Sequence, residues 1–192
     1  MVLQWAADLR AIGHVVHAPD LYDGEVFDTM TRAAEWLQPI GFDGVLARAA
    51  AAVSTLPREV VYAGFSNGGA CAELLAETRE GARGAILMHA PLPIRVIRRA
   101  IWPAGVPVQV HFSQRDPLRS QAVIETLGAH VRAAPAEFQD FTYAGGGHLF
   151  SDPGQSGYDA ASAMLMWTRV TDFLERIARP PTESGILTKE VQ

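Results

Sequence analysis

The stretch Tyr62-Ala-Gly-Phe-Ser-Asn-Gly-Gly69 decides the predicted fold, because it joins two structural patterns through closely spaced glycines. Residues 59–63 before the turn have the length and β-branched content of a buried strand. Residues 67–79 after it have the apolar spacing of a helix. The residues between them fit the pattern G-x-S-x-G, which places Ser66 on a sharp strand-to-helix turn.

A serine on such a turn strains the backbone and leaves little room beside it. We therefore expect Gly64 and Gly68 to be needed because they lack side chains. The turn would raise the Ser66 hydroxyl above the carboxyl edge of the sheet. The backbone N–H of Asn67 would then point to the place where an oxyanion forms. The alternative is an ordinary glycine-rich turn in which the serine only caps the helix.

Outward from this turn, short apolar runs alternate with longer helical patterns, which is typical of βαβ units and a parallel sheet. The predicted strands cover residues 14–18, 59–63, 85–89, 107–112 and 137–143. The predicted helices cover residues 2–12, 28–37, 42–55, 67–79, 118–133 and 159–178. We expect an α/β fold of three layers with a mostly parallel sheet of about five strands. It would form a single domain over residues 1–178, followed by a flexible tail over residues 179–192.

Two later residues are candidates to activate the serine. A serine hydroxyl needs a base to take its proton, and the base needs a carboxylate that fixes its tautomer. Asp116 follows the fourth predicted strand and His148 follows the fifth, in the order Ser, Asp, His. Taken singly, Asp116 is equally consistent with a turn before Pro117, and His148 with a surface histidine. Their joint placement at strand ends favours a catalytic triad with Ser66.

The composition excludes several classes of protein. The chain has 192 residues, of which 48% are hydrophobic and 19% charged, so we expect one folded domain rather than a disordered chain. A net charge of −5 argues against a nucleic-acid partner. No apolar run is long enough to span a membrane and no leader opens the chain, which favours a cytoplasmic protein. The single cysteine, Cys71, excludes a disulfide scaffold and is expected to be a small apolar filler.

We expect no cofactor and no metal. No histidine pair has the spacing H-x-x-x-H or H-E-x-x-H, and no G-x-G-x-x-G motif follows a strand. The remaining histidines receive structural interpretations. Those predicted to be hydrogen-bonded in or near the core are His14, His17, His89 and His111, whereas His130 is predicted at the surface.

With these motifs in place, the chain resembles the dienelactone hydrolase family of α/β-hydrolases over about residues 5–174. The resemblance rests on residues 13–24, 62–69, 107–111 with Asp116-Pro117, and 147–150. It implies an α/β-hydrolase-like sandwich and hydrolysis of an ester, lactone or similar acyl bond without a cofactor. By position, it makes Ser66 the nucleophile, His148 the general base and acid, Asp116 the residue that orients His148, and Asn67 an oxyanion donor.

The sequence departs from this family in three places. The namesake members have a cysteine where this chain has Ser66, so we expect serine-esterase chemistry. They also have an arginine, four residues after the histidine, where this chain has Asp152, which disfavours an anionic substrate. Finally, family members have an earlier strand and a loop that supplies a second oxyanion donor. We hypothesise a truncated or misassigned start; the alternative is a sheet that closes over the missing strand.

The leading functional hypothesis is a serine hydrolase that cleaves a small ester or lactone through an acyl-enzyme on Ser66. One alternative is a catalytically impaired relative that acts as a binding or scaffold protein, because the second oxyanion donor is missing. Another is a thioesterase, which would use the same residues. The sequence leaves the oligomeric state open.

Overall fold

A parallel sheet of four strands lies at the centre of the computed structural model, which describes residues 1–90 and 101–179. The strands are β1 (Val61–Phe65), β2 (Gly84–Met88), β3 (Val108–Ser113) and β4 (Phe138–Tyr143), and they lie side by side in chain order. The helices are α1 (Val2–Ala11), α2 (Met30–Leu37), α3 (Gly41–Val53), α4 (Asn67–Thr78), α5 (Gln121–Ala133) and α6 (Ala160–Ala178). Because all four strands are parallel, their carboxyl ends meet at one edge.

The two central strands are buried along their whole length, as parallel strands with helices on both faces must be. Successive side chains alternate between two separate apolar cores. In β2, Ala85 and Leu87 enter one core, whereas Ile86 and Met88 enter the other.

The helices cover both faces of the sheet and give the predicted three layers. Helices α3, α4 and α5 contribute buried residues to the first core, including Val45, Leu75 and Leu127. Helix α6 covers the opposite face with Met166, Val170 and Phe173, and Trp5 of α1 packs against them. The α/β architecture with a parallel sheet is therefore confirmed.

The strand predicted over residues 14–18 is wrong, so the sheet has four strands rather than about five. These residues run across the surface, where Val15 is 88% exposed and the Val16 carbonyl accepts a hydrogen bond from the Arg10 guanidinium. An isolated apolar run cannot form a strand without a neighbouring ladder, and no part of the chain that the structure describes pairs with it. Since β1 is an edge strand, the sheet does not close across to this segment. The predicted core placement of His17 is wrong for the same reason, because its side chain is exposed.

The other predicted strands are confirmed with ends displaced by at most two residues, and the six predicted helices with ends displaced by at most three. Helix α6 ends at Ala178, and residues 180–192 of the predicted tail lie outside the described residues. Among the helices of the described ranges, none is long and apolar enough to cross a membrane.

Candidate active site

Ser66 lies on the turn between β1 and α4 with a φ of +50°, a backbone conformation that side chains disfavour. A Cβ atom on Gly64 would lie 2.1 Å from the carbonyl carbon and oxygen of Gly68, so the predicted need for glycine at position 64 is confirmed. The same prediction is wrong for Gly68, where a Cβ atom would meet nothing within 4 Å. The second crowded position is Gly69, whose added Cβ would approach the Ala90 Cβ to 2.7 Å.

The structure brings Ser66, His148 and Asp116 together in one chain of hydrogen bonds. The distance from Ser66 Oγ to His148 Nε2 is 2.9 Å, and that from His148 Nδ1 to Asp116 Oδ2 is also 2.9 Å. Since an ionised carboxylate only accepts hydrogen bonds, Nδ1 carries the proton in this arrangement. Nε2 is then free to accept the Ser66 hydroxyl proton. The three residues follow β1, β4 and β3, whose carboxyl ends lie at the same edge of the sheet.

Both oxygens of the Asp116 carboxylate accept hydrogen bonds. Its side chain is fully buried, and Oδ1 accepts the backbone N–H of Leu118 at 2.8 Å while Oδ2 faces His148. The His148 side chain keeps 15% of its surface exposed. The carboxylate is thus shielded from water, whereas the imidazole lies between it and the open side of the site.

Ser113, at the end of β3, links the two loops that carry Asp116 and His148. Its buried hydroxyl donates to the Gly146 carbonyl at 2.8 Å and accepts the Arg115 N–H at 3.0 Å. Gly146 has a φ of +78°, and an added Cβ atom would lie 2.1 Å from the Phe150 Cβ. Sequence reasoning missed Ser113. Its signal was a hydroxyl residue at a strand end, where it can accept a backbone N–H two residues later.

Asn67 offers two groups at the start of α4. Its backbone N–H belongs to the first helical turn, which has no intrahelical acceptor. Its side-chain amide donates to the Tyr22 hydroxyl at 3.3 Å. Tyr22 packs against Phe27 and Trp36, with ring centroids 6.2 Å and 5.2 Å away. Tyr22 therefore contacts the first residue of α4 directly, and Phe27 and Trp36 pack against Tyr22. Sequence reasoning did not identify any of the three as part of the site.

His89 lies beside the triad residues at the end of β2, with a fully buried side chain and a φ of +58°. Its ring centroid is 5.5 Å from that of His148, and its Nδ1 is 3.9 Å from Asp116 Oδ2, too far for a hydrogen bond. Within residues 1–90 and 101–179, neither of its ring nitrogens has a hydrogen-bond partner. Burial, reinforced by the positive charge that His148 can carry, lowers the pKa of His89 to about 3, despite the opposing effect of Asp116. The ring is therefore neutral.

The predicted core placement of His89 is confirmed, but the prediction that it is hydrogen-bonded is wrong. Sequence reasoning did not place it in the site, although it ends a predicted strand at the same edge as Ser66. By contrast, His111 is both buried and hydrogen-bonded, as predicted.

Cys71 is buried in the core on α4, as predicted. Burial raises the pKa of its thiol to about 11, so the thiol stays protonated near neutral pH. Because a thiol reacts as its thiolate, Cys71 does not compete with Ser66 as a nucleophile.

Solved structures share this fold over most of the chain. A dienelactone hydrolase-like promiscuous phosphotriesterase from metagenomic libraries matches with a TM-score of 0.70 and 22% identity, over 91% of this chain and 80% of its own. A Klebsiella pneumoniae protein whose name places it among dienelactone hydrolases matches with a TM-score of 0.69 and 20% identity, over the same shares of the two chains. An esterase from Thermogutta terrifontis, solved after phosphorylation by paraoxon, matches with a TM-score of 0.52 and 18% identity, over 76% and 61% of the two chains. These similarities show the fold.

The sequence comparisons address the family. A search of curated protein sequences returned no match. The model of the dienelactone hydrolase family matches residues 2–178, which is nearly the whole chain. The chain therefore belongs to the dienelactone hydrolase family, a group of hydrolases with the α/β-hydrolase fold.

Proposed function

We propose that the protein is a serine hydrolase that cleaves a small ester or lactone through an acyl-enzyme on Ser66. The observation that carries the proposal is the unbroken hydrogen-bond chain from Ser66 Oγ through His148 to Asp116, with both distances at 2.9 Å. Each member stands in the relation that the chemistry requires: a hydroxyl, a base that can accept its proton, and a carboxylate that orients the base.

The first half-reaction forms the acyl-enzyme. His148 Nε2 takes the Ser66 proton while Oγ attacks the carbonyl carbon of the substrate. The resulting oxyanion accepts a hydrogen bond from the Asn67 N–H, and Asp116 stabilises the imidazolium ion. As the intermediate collapses, His148 returns the proton to the leaving alcohol oxygen. In the second half-reaction, His148 takes a proton from water, the hydroxide attacks the acyl group, and Ser66 recovers its proton as the acid leaves.

Replacement of the nucleophile tests the proposal directly. We expect Ser66→Ala to lower kcat for a short-chain aryl ester by at least about a thousandfold, because no other group in this mechanism attacks the carbonyl. A fluorophosphonate probe should label the wild-type protein at Ser66. The matched control is Ser54→Ala, which removes an exposed hydroxyl at the end of α3. Wild-type turnover in Ser66→Ala would contradict the proposal.

The role of the carboxylate has its own test. Asp116→Asn keeps the size of the side chain but favours the tautomer of His148 in which Nε2 carries the proton. We expect kcat to fall by about 10⁴-fold with little change in the free energy of unfolding. A small change in kcat would show that Asp116 does not orient the base.

Two other functions would give different results in the same assays. A folded protein that fluorophosphonate does not label, and that lacks esterase activity, would favour a binding or scaffold role. Faster hydrolysis of a thioester than of the matched oxygen ester would favour a thioesterase.

A further inference from the structure

His89 is a buried polar side chain beside the catalytic residues that the hydrolytic mechanism does not use. Its side chain is fully buried, yet neither ring nitrogen has a hydrogen-bond partner among the residues that the structure describes. A buried polar group without a partner is destabilising, so its presence needs an explanation. The backbone of His89 is also strained, with a φ of +58°. A histidine keeps that conformation only where the surrounding structure compensates for the strain.

The surroundings of His89 offer metal ligands. One donor atom from each of His89, Asp116 and His148 lies within 4.8 Å of the others. The Asp116 Oδ2 atom is 2.9 Å from His148 Nδ1 and 3.9 Å from His89 Nδ1. Two imidazoles and a carboxylate are a frequent ligand set for Zn²⁺, with one position left open.

These distances are close to those of a zinc site. Around tetrahedral Zn²⁺, neighbouring ligand atoms lie about 3.3 Å apart. His89 would approach Oδ2 by roughly 0.6 Å, and His148 would withdraw from it by about 0.4 Å, to reach that spacing. The donor atoms of the two histidines lie within 4.8 Å of each other and would need to reach the same spacing. Asp116 would supply one negative charge, and its other oxygen would keep the hydrogen bond from Leu118.

We propose that His89, Asp116 and His148 form an inhibitory site for Zn²⁺. In the metal-free protein, His148 has its proton on Nδ1 and its lone pair on Nε2, facing Ser66. Zn²⁺ needs the Nδ1 lone pair, so its binding moves the proton to Nε2 without a net change in protonation. Ser66 then faces an N–H group rather than a base and cannot be activated. His89 supplies the third ligand.

The inhibition rests on the proposed hydrolase function, but occupancy of the site does not. The first measurement is therefore made on Ser66→Ala, in which all three ligands remain. Tetrahedral Co²⁺ absorbs strongly in the visible region, and we expect this band when Co²⁺ is added to Ser66→Ala. The band should be lost when His89→Asn is also introduced. Asn is chosen because it tolerates positive φ, and His89→Gly is the second variant because glycine adopts that φ without strain.

The second measurement is the ratio of aryl-ester hydrolysis with ZnCl₂ to that with EDTA, taken within each variant at constant pH. Any effect of a variant on its own basal rate cancels in this ratio. Half-inhibition of His89→Asn and His89→Gly should need at least about tenfold more Zn²⁺ than the wild type. The control is His17→Asn, which removes an exposed histidine and should behave as the wild type.

Each outcome decides between the two proposals. Absence of the Co²⁺ band in Ser66→Ala, or equal inhibition by Zn²⁺ of wild type and both His89 variants, would overturn the metal site. A band that depends on His89, in a protein that hydrolyses no ester, would support the metal site and count against the proposed function.

Discussion

At the scale of single residues, the turn at Ser66 depends on which neighbours lack a side chain. Ser66 has a φ of +50°, and the Gly68 backbone passes so close to Gly64 that position 64 has no room for a methyl group. Gly68 itself faces open space. Only Gly64 is therefore required for steric reasons, although the two glycines occupy symmetric places in the motif.

This difference gives a paired prediction. Gly64→Ala should lower the free energy of unfolding by about 1–3 kcal/mol, because the methyl group forces backbone atoms apart, and esterase activity should be lost with the turn. Gly68→Ala should leave stability unchanged or raise it by up to about 1 kcal/mol, because alanine is the better helix former. Urea unfolding and ester turnover measure both. Equal effects of the two substitutions would contradict the steric explanation.

Cys71 gives a second prediction at this scale. With a pKa near 11, only about one thiol in a thousand is ionised at pH 8, and the side chain is buried as well. Iodoacetamide should therefore leave esterase activity intact, whereas a fluorophosphonate abolishes it. Cys71→Ala is the control that identifies alkylation elsewhere. Loss of activity in step with Cys71 alkylation would point to a cysteine-dependent reaction.

At the scale of elements, the loops after β3 and β4 must keep a fixed separation, because one carries Asp116 and the other His148. The Ser113 hydroxyl holds them together through the Gly146 carbonyl and the Arg115 N–H. Ser113→Ala would leave both backbone groups without this partner, which costs about 1–3 kcal/mol where they are buried. We expect kcat/KM to fall about tenfold through misalignment of the base.

The control is Ser54→Ala, which also removes a hydroxyl bound to a carbonyl, but on an exposed helix end. Equal kinetics for the two variants would exclude this positioning role.

At the scale of the whole molecule, His111 makes the free energy of unfolding depend on pH. It is fully buried between Tyr143 and Gln109, and burial, followed by the charge of Arg169, lowers its pKa to about 3. In the unfolded chain its pKa returns to about 6.5. Between these values the unfolded chain binds a proton that the folded chain does not. The free energy of unfolding should therefore fall with decreasing pH, by about 1.4 kcal/mol per pH unit from this group alone. Above the unfolded pKa the group makes no pH-dependent contribution.

Urea unfolding at pH 7 and pH 5 measures this slope, and His111→Gln should reduce it. His17→Gln is the control, because it removes a histidine whose side chain is exposed. An unchanged slope in His111→Gln would show that other groups govern the acid sensitivity.

The four strands and the three residues of the hydrogen-bond chain could be predicted from the sequence, but some residues around them could not. Strands β1 to β4 could be predicted because short apolar runs alternate with longer helical patterns along the chain, although only β2 and β3 are buried along their whole length. The run at residues 14–18 looks the same, but a sequence pattern does not show whether a strand has a neighbour to pair with. Ser66, Asp116 and His148 could be predicted from chain order and strand ends. Tyr22 could not, because its contact with Asn67 depends on how a distant loop packs. His89 ends a predicted strand at the same edge as Ser66, but its residue type and position did not distinguish it from a core histidine.

The serine and its base are 82 positions apart in the chain and meet only when the sheet is assembled. A nascent chain that has not yet left the ribosome beyond β4 therefore cannot turn over substrate, however well its first helices have formed. Recovery of catalysis after dilution from denaturant should follow the slowest step of refolding rather than helix formation. Enzymatic turnover in this protein would thus report completion of the native topology.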